Sequence, residues 1–269
     1  MRIRIKPYAS ASKSVKLLTK DLQEDGIDIK KIRNVNSTYR AREGDIIFNW
    51  GSPRYISTNG ATLLNKPEAV DKAANKVSTF EVLKDAGVPT VKWTLSQEKA
   101  SQWPAVFCRH KLRGHSGSGI AYCSQERPQH LGNFEWLTEL PPAPLYTKAV
   151  EGEYSEYRLH VFAGEIIYSQ QKKRRNGWQD NPNYSKVVRN FHTGWVYAHE
   201  SMEPYSEDVA KVAIDAVKAL GLDFGAVDLI VQADKAIVLE VNTAPGLSGV
   251  SSRLAYKNAF KKVIENANV

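Results

Sequence analysis

Several things are scarce in this chain of 269 residues, and each scarcity removes a class of protein. Cysteine occurs twice, at Cys108 and Cys123, which is too few for the disulfide framework of a small secreted domain. Neither cysteine has a Cys or His neighbour at zinc-site spacing, and the six histidines are scattered. No apolar run approaches the roughly 20 residues of a membrane-spanning helix. The opening Met1-Arg2-Ile3-Arg4-Ile5-Lys6-Pro7 alternates like a strand and lacks the apolar core of a signal peptide, so a cytoplasmic location and no membrane partner are expected. There is no internal repeat, low-complexity tract, heptad pattern, nucleophile elbow or triad signature. The one glycine-rich segment, Gly114-His115-Ser116-Gly117-Ser118-Gly119, lies between two strand-like runs. A Walker loop or a dinucleotide fingerprint needs a helix there.

What remains is a globular composition, 42% hydrophobic and 25% charged, long enough for one large domain or two to three small ones. The formal net charge of +8 calls for an anionic ligand or partner. Basic residues are spread along the chain, compact only at Lys172-Lys173-Arg174-Arg175, and no nucleic-acid motif is present, so a polyphosphate ligand is favoured over a duplex. Cys108 and Cys123 fall in runs that read as neighbouring strands; a disulfide is geometrically open, and two buried thiols are the expectation in a reducing compartment.

The patterning predicts an α/β (α+β) chain. A small unit over the first 65 residues has a strand at 2–6, an amphipathic helix over 13–24 stopped by Gly26, and a strand at 45–49. A helix is expected over 67–86, then strands at 91–94, 104–109, 119–123 and 145–150. A hairpin over 156–162 and 165–171 turns at Ala163-Gly164, and the stretch 187–194 reads as a short strand entering a polar turn. Ser206 caps a helix whose apolar stripe runs from Val209 to Leu220. A last helix over 252–265 is expected to turn Leu254, Phe260, Val263 and Ile264 inward and Arg253, Lys257, Lys261 and Lys262 outward.

The most informative segment runs from Asp228 to Gly246. Two β-rich runs, 226–232 and 236–242, flank Ala233-Asp234-Lys235, which reads as a three-residue hairpin loop. In that register Asp228 faces Glu240 and Asn242 faces Ala226. Asp228, Glu240 and Asn242 then share one face, and Leu229, Leu239 and Val241 share the other. Two facing carboxylates repel unless a cation lies between them, and oxygen-only ligation suits Mg²⁺. A two-residue loop would slip the register and destroy this convergence; a solvated surface hairpin is the alternative reading. Elsewhere, Arg109, Lys111 and Arg113 around the glycine loop fit phosphate binding, against a merely flexible loop. The 172–175 run stands against ordinary solvated surface, and Asn190 and His192 against an ordinary turn.

The order of these segments resembles the ATP-grasp superfamily over roughly residues 66–252. The resemblance is carried by strand, glycine loop, strand, then Thr147-Lys148-Ala149-Val150, Glu156-Tyr157-Arg158, Val227-Asp228-Leu229 and Leu239-Glu240-Val241-Asn242-Thr243-Ala244-Pro245-Gly246-Leu247. Within it, Gly221 to Leu229, Asn190-Phe191-His192-Thr193-Gly194 and Pro245-Gly246-Leu247-Ser248-Gly249 are most similar to RimK-type ligases, which add glutamate to a ribosomal protein. D-alanine–D-alanine ligases and small phage-encoded ATP-grasp proteins are looser likenesses. The resemblance implies an ATP-grasp fold in three parts: a small N-terminal α/β unit (1–65), a central α+β subdomain with the glycine loop (66–145) and a C-terminal α+β subdomain with the metal hairpin (146–269), with nucleotide between the last two. It also implies that Asp228, Glu240 and Asn242 hold two Mg²⁺ ions, with Mn²⁺ as a substitute. Lys76 and Arg109 would contact ATP phosphates, and Gly114, His115, Ser116 and Gly117 would cover them. Backbone near Lys148 and Val150 would bind adenine, with Glu151 or Glu156 on the ribose. Lys173, Arg189 and Asn190 would approach the reacting phosphates, and Arg158 would assist at the triphosphate or a substrate carboxylate. Two departures stand out: Arg109 replaces the lysine that most members place at the end of that strand, and Ala226 replaces an arginine of the D-alanine ligases.

The implied reaction is ATP-dependent ligation of a carboxylate to an amine through an acyl phosphate. The partners would be ATP and an undetermined amino acid, peptide or acidic small molecule, with nucleic acid less favoured and a dimer as one arrangement of the chain. Two other readings remain: phosphoryl transfer to a hydroxyl on the same scaffold, and an ATP-dependent nucleic-acid or protein-binding module without turnover.

Overall fold

The computed structural model describes residues 1–33, 37–113, 119–128, 131–133 and 135–267. Its first sheet is parallel, with β1 (Ile3–Pro7), β2 (Ile29–Lys31), β3 (Ile46–Trp50) and β4 (Thr62–Leu64) in the order β2-β1-β3-β4. Parallel neighbours need a crossover, and helix α1 (Lys13–Glu24) supplies the one between β1 and β2. Ser12 caps it by accepting from the Val15 amide, and Val15, Leu18 and Leu22 form its buried stripe. The strand alternation turns Ile3, Ile5, Ile46, Phe48 and Trp50 into one apolar cluster.

The helix expected over 67–86 is two helices, α2 (Pro67–Ala74) and α3 (Lys76–Asp85). Asn75 leaves helical geometry between them, and its side chain accepts from the amides of Val77 and Ser78. That cap competes with helix continuation and restarts the chain with Lys76 at the first helical position. A second sheet follows. It is built from β5 (Trp93–Thr94), β6 (Ala105–Arg109), β7 (Ile120–Ser124), β8 (Trp136–Leu137) and β9 (Leu145–Lys148), in the order β5-β9-β6-β7-β8, with the short helix α4 (Gln97–Ala100) on one side. The strand expected to reach residue 150 stops at Lys148. Cys108 and Cys123 lie on the paired strands β6 and β7 as free, buried thiols, and burial pushes that of Cys108 up to about 12.

The third sheet is antiparallel: β10 (Ser155–Phe162), β11 (Glu165–Arg174), β12 (Trp195–Ala198), β13 (Phe224–Gln232) and β14 (Lys235–Asn242), in the order β12-β11-β10-β13-β14. The β10–β11 hairpin turns at Ala163-Gly164, both at positive φ. Helix α5 (Glu207–Ala219) lies on one face and buries Val209, Ala213, Ala216 and Val217 against Leu159, Val161, Val227 and Leu229, with Val70 of α2 and Leu83 of α3 in the same cluster. The stretch 187–194 contains no strand; it folds into turns.

The last helix, α6 (Val250–Asn266), packs on the first sheet. Phe260 stacks on Phe48 with ring centroids 3.7 Å apart, Tyr256 meets Trp50 edge-on at 5.0 Å, and Phe162 stacks on Phe224 at 5.4 Å. The first sheet, α6 and the third sheet therefore share one aromatic core. Helix phase corrects two sequence expectations: Leu254 is 48% exposed while Tyr256 is fully buried, and Arg253, Lys257 and Lys261 face α1, paired with Asp21 and Asp25.

A buried polar bolt fastens the first sheet to the third. Asn65, at φ +60°, accepts through Oδ1 from the amides of Asp223 and Phe224, donates through Nδ2 to the Phe224 carbonyl, and donates from its own backbone to Asp223. Its carbonyl accepts from Asn49, whose side chain also closes the turn at Ser52. Removing the side chain strands buried backbone groups and leaves a non-glycine residue in the left-handed region. Asn65→Ala is therefore expected to lower unfolding free energy by about 3 kcal/mol in urea titration, and Asn65→Gly by about 2 kcal/mol, the difference being the backbone term.

Candidate active site

The third sheet is apolar on one face and ionic on the other. Along β10 the order Glu156-Tyr157-Arg158-Leu159-His160-Val161 alternates, so Tyr157, Leu159 and Val161 enter the cluster under α5 while Glu156, Arg158 and His160 project from the opposite face. Cross-strand pairing sets Arg158 against Gln170 and Asp228, and Asp228 against Glu240, which makes a polar row across four strands.

The register that creates this row has an origin different from the one expected. The hairpin loop has two residues, Ala233 and Asp234, both at positive φ, with Gln232 paired to Lys235. Alone, that turn would misalign the carboxylates. A β-bulge between Asp228 and Leu229 puts the slip right: Leu229 pairs with Val238 and Asp228 with Glu240, leaving Leu239 as the extra residue. The expected pairs Asp228 with Glu240 and Ala226 with Asn242 are present. Leu239 does not join Leu229 and Val241; the bulge turns it into a separate cluster with Phe80, Val91, Leu145, Val150 and Ile237, between the second and third sheets.

Asp228 accepts a forked pair of bonds from Arg158, Nε to Oδ1 at 2.6 Å and Nη2 to Oδ2 at 2.7 Å. Burial opposes its charge, but Arg158, and then Lys172, hold the carboxyl below the usual range. Burial likewise works against Arg158, and the attraction of Asp228 carries its pKa above the ordinary value. Glu240 pairs with Lys76 at 3.2 Å, and the Asn242 amide donates to Asp228 at 3.3 Å and to Glu240 at 3.2 Å. The two carboxylates thus converge on the Asn242 amide, and with that amide turned oxygen-inward the three side chains make a hard-oxygen donor set without sulfur or imidazole. The residues present fit Mg²⁺. Among the described residues no group of three or more His, Cys, Asp or Glu side chains is placed to hold a metal ion, and this set has two carboxylates with an amide as its third member.

The other expected residues divide. Arg109 is half-buried, its Nε bonded to Thr147 Oγ1 at 3.2 Å, with desolvation lowering its pKa against the pull of Glu240. Lys76 begins α3 and reaches Glu240, so both cations are at the trio. Glu156 lies on the ionic face, 2.7 Å from Lys172 and 3.5 Å from Arg189. Arg189 is also stacked on Tyr154 at 4.0 Å and Trp195 at 4.7 Å. Asn190 spends its side-chain oxygen on the Thr193 amide, closing a turn. Lys148 ends β9, Val150 joins the cluster with Leu239, and Glu151 is exposed, its carbonyl accepting from Gln232. Gly114, His115, Ser116 and Gly117 lie outside the described residues.

Lys173 is not brought to the trio. The run 172–174 belongs to β11 rather than following it, so its side chains alternate. Lys172 shares the ionic face, while Lys173 points to the other and pairs with Glu203 at 2.7 Å. Lys172, which the sequence offers only as a member of the 172–175 run, is thus the residue of that run in phase with Gln170 and on the ionic face. Tyr197 is a residue that sequence reasoning passed over. It pairs with Lys172 across β12, and its ring lies 4.1 Å below the Arg158 guanidinium and 4.9 Å from the Lys172 ammonium. His160, fully buried between Tyr256 and Gln170, completes the face. A cleft of about 350 Å³ opens beside Glu240 and Asn242, bounded by Tyr8 and Gly51 of the N-terminal unit, Lys76 and Ala244. Gly51 has φ +75°, and a Cβ there would stand 2.6 Å from that of Ala244.

Known proteins resemble this arrangement. A family model described as a RimK-like ATP-grasp domain matches residues 153–266. The tetrahydromethanopterin:alpha-L-glutamate ligase of Methanocaldococcus jannaschii is 27% identical over 231 residues, covering 82% of this chain and 75% of the relative. A probable alpha-L-glutamate ligase of Histophilus somni is 26% identical over 218 residues, covering 78% and 69%. Among solved structures, D-alanine–D-alanine ligase of Bacillus anthracis superposes with a TM-score of 0.64 at 16% identity, covering 99% of this chain and 97% of that one. The ATP-grasp ligase PsnB, complexed with a phosphomimetic variant of its minimal precursor, Mg and ADP, gives 0.62 at 14% identity and 97% coverage of both. A RimK domain protein of Sphaerobacter thermophilus gives 0.59 at 13%, covering 97% and 98%.

His160 gives the ionic face a pH signature. Burial lowers its pKa to about 4, below the unfolded value, so the unfolded chain takes up the proton first as pH falls. Its contribution to stability is complete above about pH 6.5 and is lost towards pH 4, the loss reaching about 2 kcal/mol at pH 5. His160→Asn is expected to be less stable at pH 7.5 yet to show a shallower loss of melting temperature between pH 7 and 5. Parallel wild-type and variant curves would contradict the assignment.

Proposed function

We propose that this chain is an ATP-grasp protein whose residues 153–266 form a RimK-like ATP-grasp domain, and that it is an ATP-dependent ligase joining a carboxylate to an amine with release of ADP and phosphate. The observation that carries the reading is the convergence of Asp228, Glu240 and Asn242 beside five cationic side chains, Lys76, Arg109, Arg158, Lys172 and Arg189. The relatives named alpha-L-glutamate ligase support an amide-forming outcome over transfer to a hydroxyl.

We assign the nucleotide to the space between the second and third sheets. The apolar cluster of Phe80, Leu145, Val150, Ile237 and Leu239 offers a seat for an adenine ring, with backbone at Lys148 to Val150 beside it. The triphosphate would then extend along the ionic face towards Arg109, Lys76 and Arg158, with Gly114 to Gly117 as its cover. Asp228, Glu240 and Asn242 would hold Mg²⁺, in one or two ions or replaced by Mn²⁺, which would supply neutralisation of phosphate charge. The division into parts at residues 65 and 145 belongs to the same proposal.

The chemistry asks little of the protein beyond placement and charge. A carboxylate oxygen attacks the γ-phosphorus as the bond to ADP breaks, giving an acyl phosphate. An amine nitrogen then attacks the acyl carbon, phosphate leaves, and the nitrogen loses a proton. Guanidinium and ammonium groups fixed before reaction stabilise charge shifting onto phosphate oxygens without reorganising. Exclusion of water is essential because an acyl phosphate hydrolyses. The cleft at Tyr8, Gly51 and Ala244 is where we place the substrate carboxylate, adjoining Glu240.

The test is ADP release over pairs of amino acids and peptides, with mass detection of the adduct. Asp228→Ala and Glu240→Ala are each expected to reduce ADP release by about a thousandfold or more; full turnover in either would sink the metal assignment. Strand phase supplies a finer test. Lys172→Met should cost about a hundredfold, whereas Lys173→Met, on the far face, should stay within about threefold; the reverse order would restore Lys173 to the site.

A further inference from the structure

We propose that Lys76 and Arg158 are resident counter-ions of the two metal carboxylates, and that they make divalent-cation binding conditional on nucleotide phosphate. The inference rests on the ligase reading above and concerns how the same site loads.

Both carboxylates already have a cation. Arg158 grips both oxygens of Asp228, and Lys76 takes one oxygen of Glu240. Among the described residues the immediate surroundings hold five cationic side chains against three carboxylates, since Lys172 and Arg189 share Glu156 and Arg109 bonds the Thr147 hydroxyl. A divalent cation arriving alone therefore enters a region of net positive charge and must displace two formed ion pairs. Free nucleotide phosphate arriving alone can meet Arg109, but to engage Lys76 and Arg158 it must strip them from their carboxylates and leave Asp228 buried without compensation. When both arrive, phosphate oxygens take Lys76 and Arg158 while the cation takes Asp228 and Glu240, so no charge is stranded at any stage. Each ligand then strengthens the other by the same factor, as linkage requires.

The site has a provision for that exchange. The Arg158 guanidinium lies 4.1 Å above the Tyr197 ring, on the face of an aromatic that Lys172 also touches at 4.9 Å. An aromatic face attracts a cation whatever its anion is doing. Arg158 can let go of Asp228 and turn towards phosphate without leaving that seat. Lys76, at the first position of α3 and only 15% exposed in its side chain, turns about a fixed helix end, while the Glu240 side chain is 34% exposed and open to an incoming ion.

The experiment uses the whole chain with Mn²⁺ as the probe, read from the electron paramagnetic resonance signal of the free aquo ion. ADP binding is measured separately with a fluorescent analogue in metal-free buffer, and Mn²⁺ bound to ADP alone is subtracted. In the wild type, Mn²⁺ should bind at least about tenfold more tightly with saturating ADP than without it. In Lys76→Met the two ligands should move in opposite directions: Mn²⁺ binds about tenfold more tightly in the absence of nucleotide, and the ADP analogue binds more weakly. Arg158→Met should do the same; Lys76→Met keeps the test decisive if burial of Asp228 without Arg158 prevents folding, because Glu240 remains solvated. Equal Mn²⁺ affinity with and without ADP in the wild type, or weakening of both ligands in Lys76→Met, would overturn the proposal. Failure of the wild type to bind the ADP analogue even with saturating Mn²⁺ would instead overturn the nucleotide reading on which it rests.

Discussion

A carboxylate on the inner side of a sheet is either protonated or compensated, and the forked bond from Arg158 to Asp228 is what compensates this one. Much of the surrounding design follows from that pair. Because Arg158 and Asp228 are cross-strand partners, the charges are neutralised by strand pairing itself rather than by a mobile loop. Tyr197 supports the guanidinium from below, and Lys172 and Glu156 form the next polar pair along the same face. On the opposite face the same strands bury Leu159 and Leu229 under α5. The sheet thus uses its two-residue period to keep an ionic surface and an oily core one strand thickness apart.

Much of this was legible in the sequence, because period-two alternation and turn residues are local signals. The hairpin at Ala163-Gly164, the helix over 13–24 and the opposition of Asp228 to Glu240 all follow from them. The last of these was reached through a compensating error: the loop is one residue shorter than expected, and a bulge returns the register that the turn removes. Nothing in the residues from Lys235 to Glu240 announces a bulge, since its cause is tertiary. Leu239 finds a second apolar cluster that a regular strand would deny it. The misplacement of Lys173 had a different source, the end of a strand. Polar residues at 172–174 look like loop, yet each finds a partner in the fold, Glu156, Glu203 and Trp178, and the strand continues through them. Leu254 was misread because the true inner stripe of α6 is aromatic and centred on Tyr256 and Phe260.

The N-terminal unit is small, and its four short strands lean on material from the far end of the chain. Phe48 and Trp50 are packed by Phe260 and Tyr256 of α6, and Asn65 is locked to the start of β13. Contacts this distant in sequence are slow to form, since the loop must close before they reward it. Folding of the first 65 residues is therefore tied to arrival of the last 20, and the wall of the cleft is completed only when the whole chain is present.

Gly51 carries that dependence into the site. Its missing side chain lets the end of β3 rest against Ala244, two residues beyond the amide of Asn242. Two surfaces that meet at backbone distance cannot be redesigned independently. Exchanging the N-terminal unit for that of another ligase, as a route to new acceptors, would have to carry a glycine at this position and a small residue at 244 together. An N-terminal unit grafted without that pair would move the strand of Glu240 and Asn242 before it met any substrate.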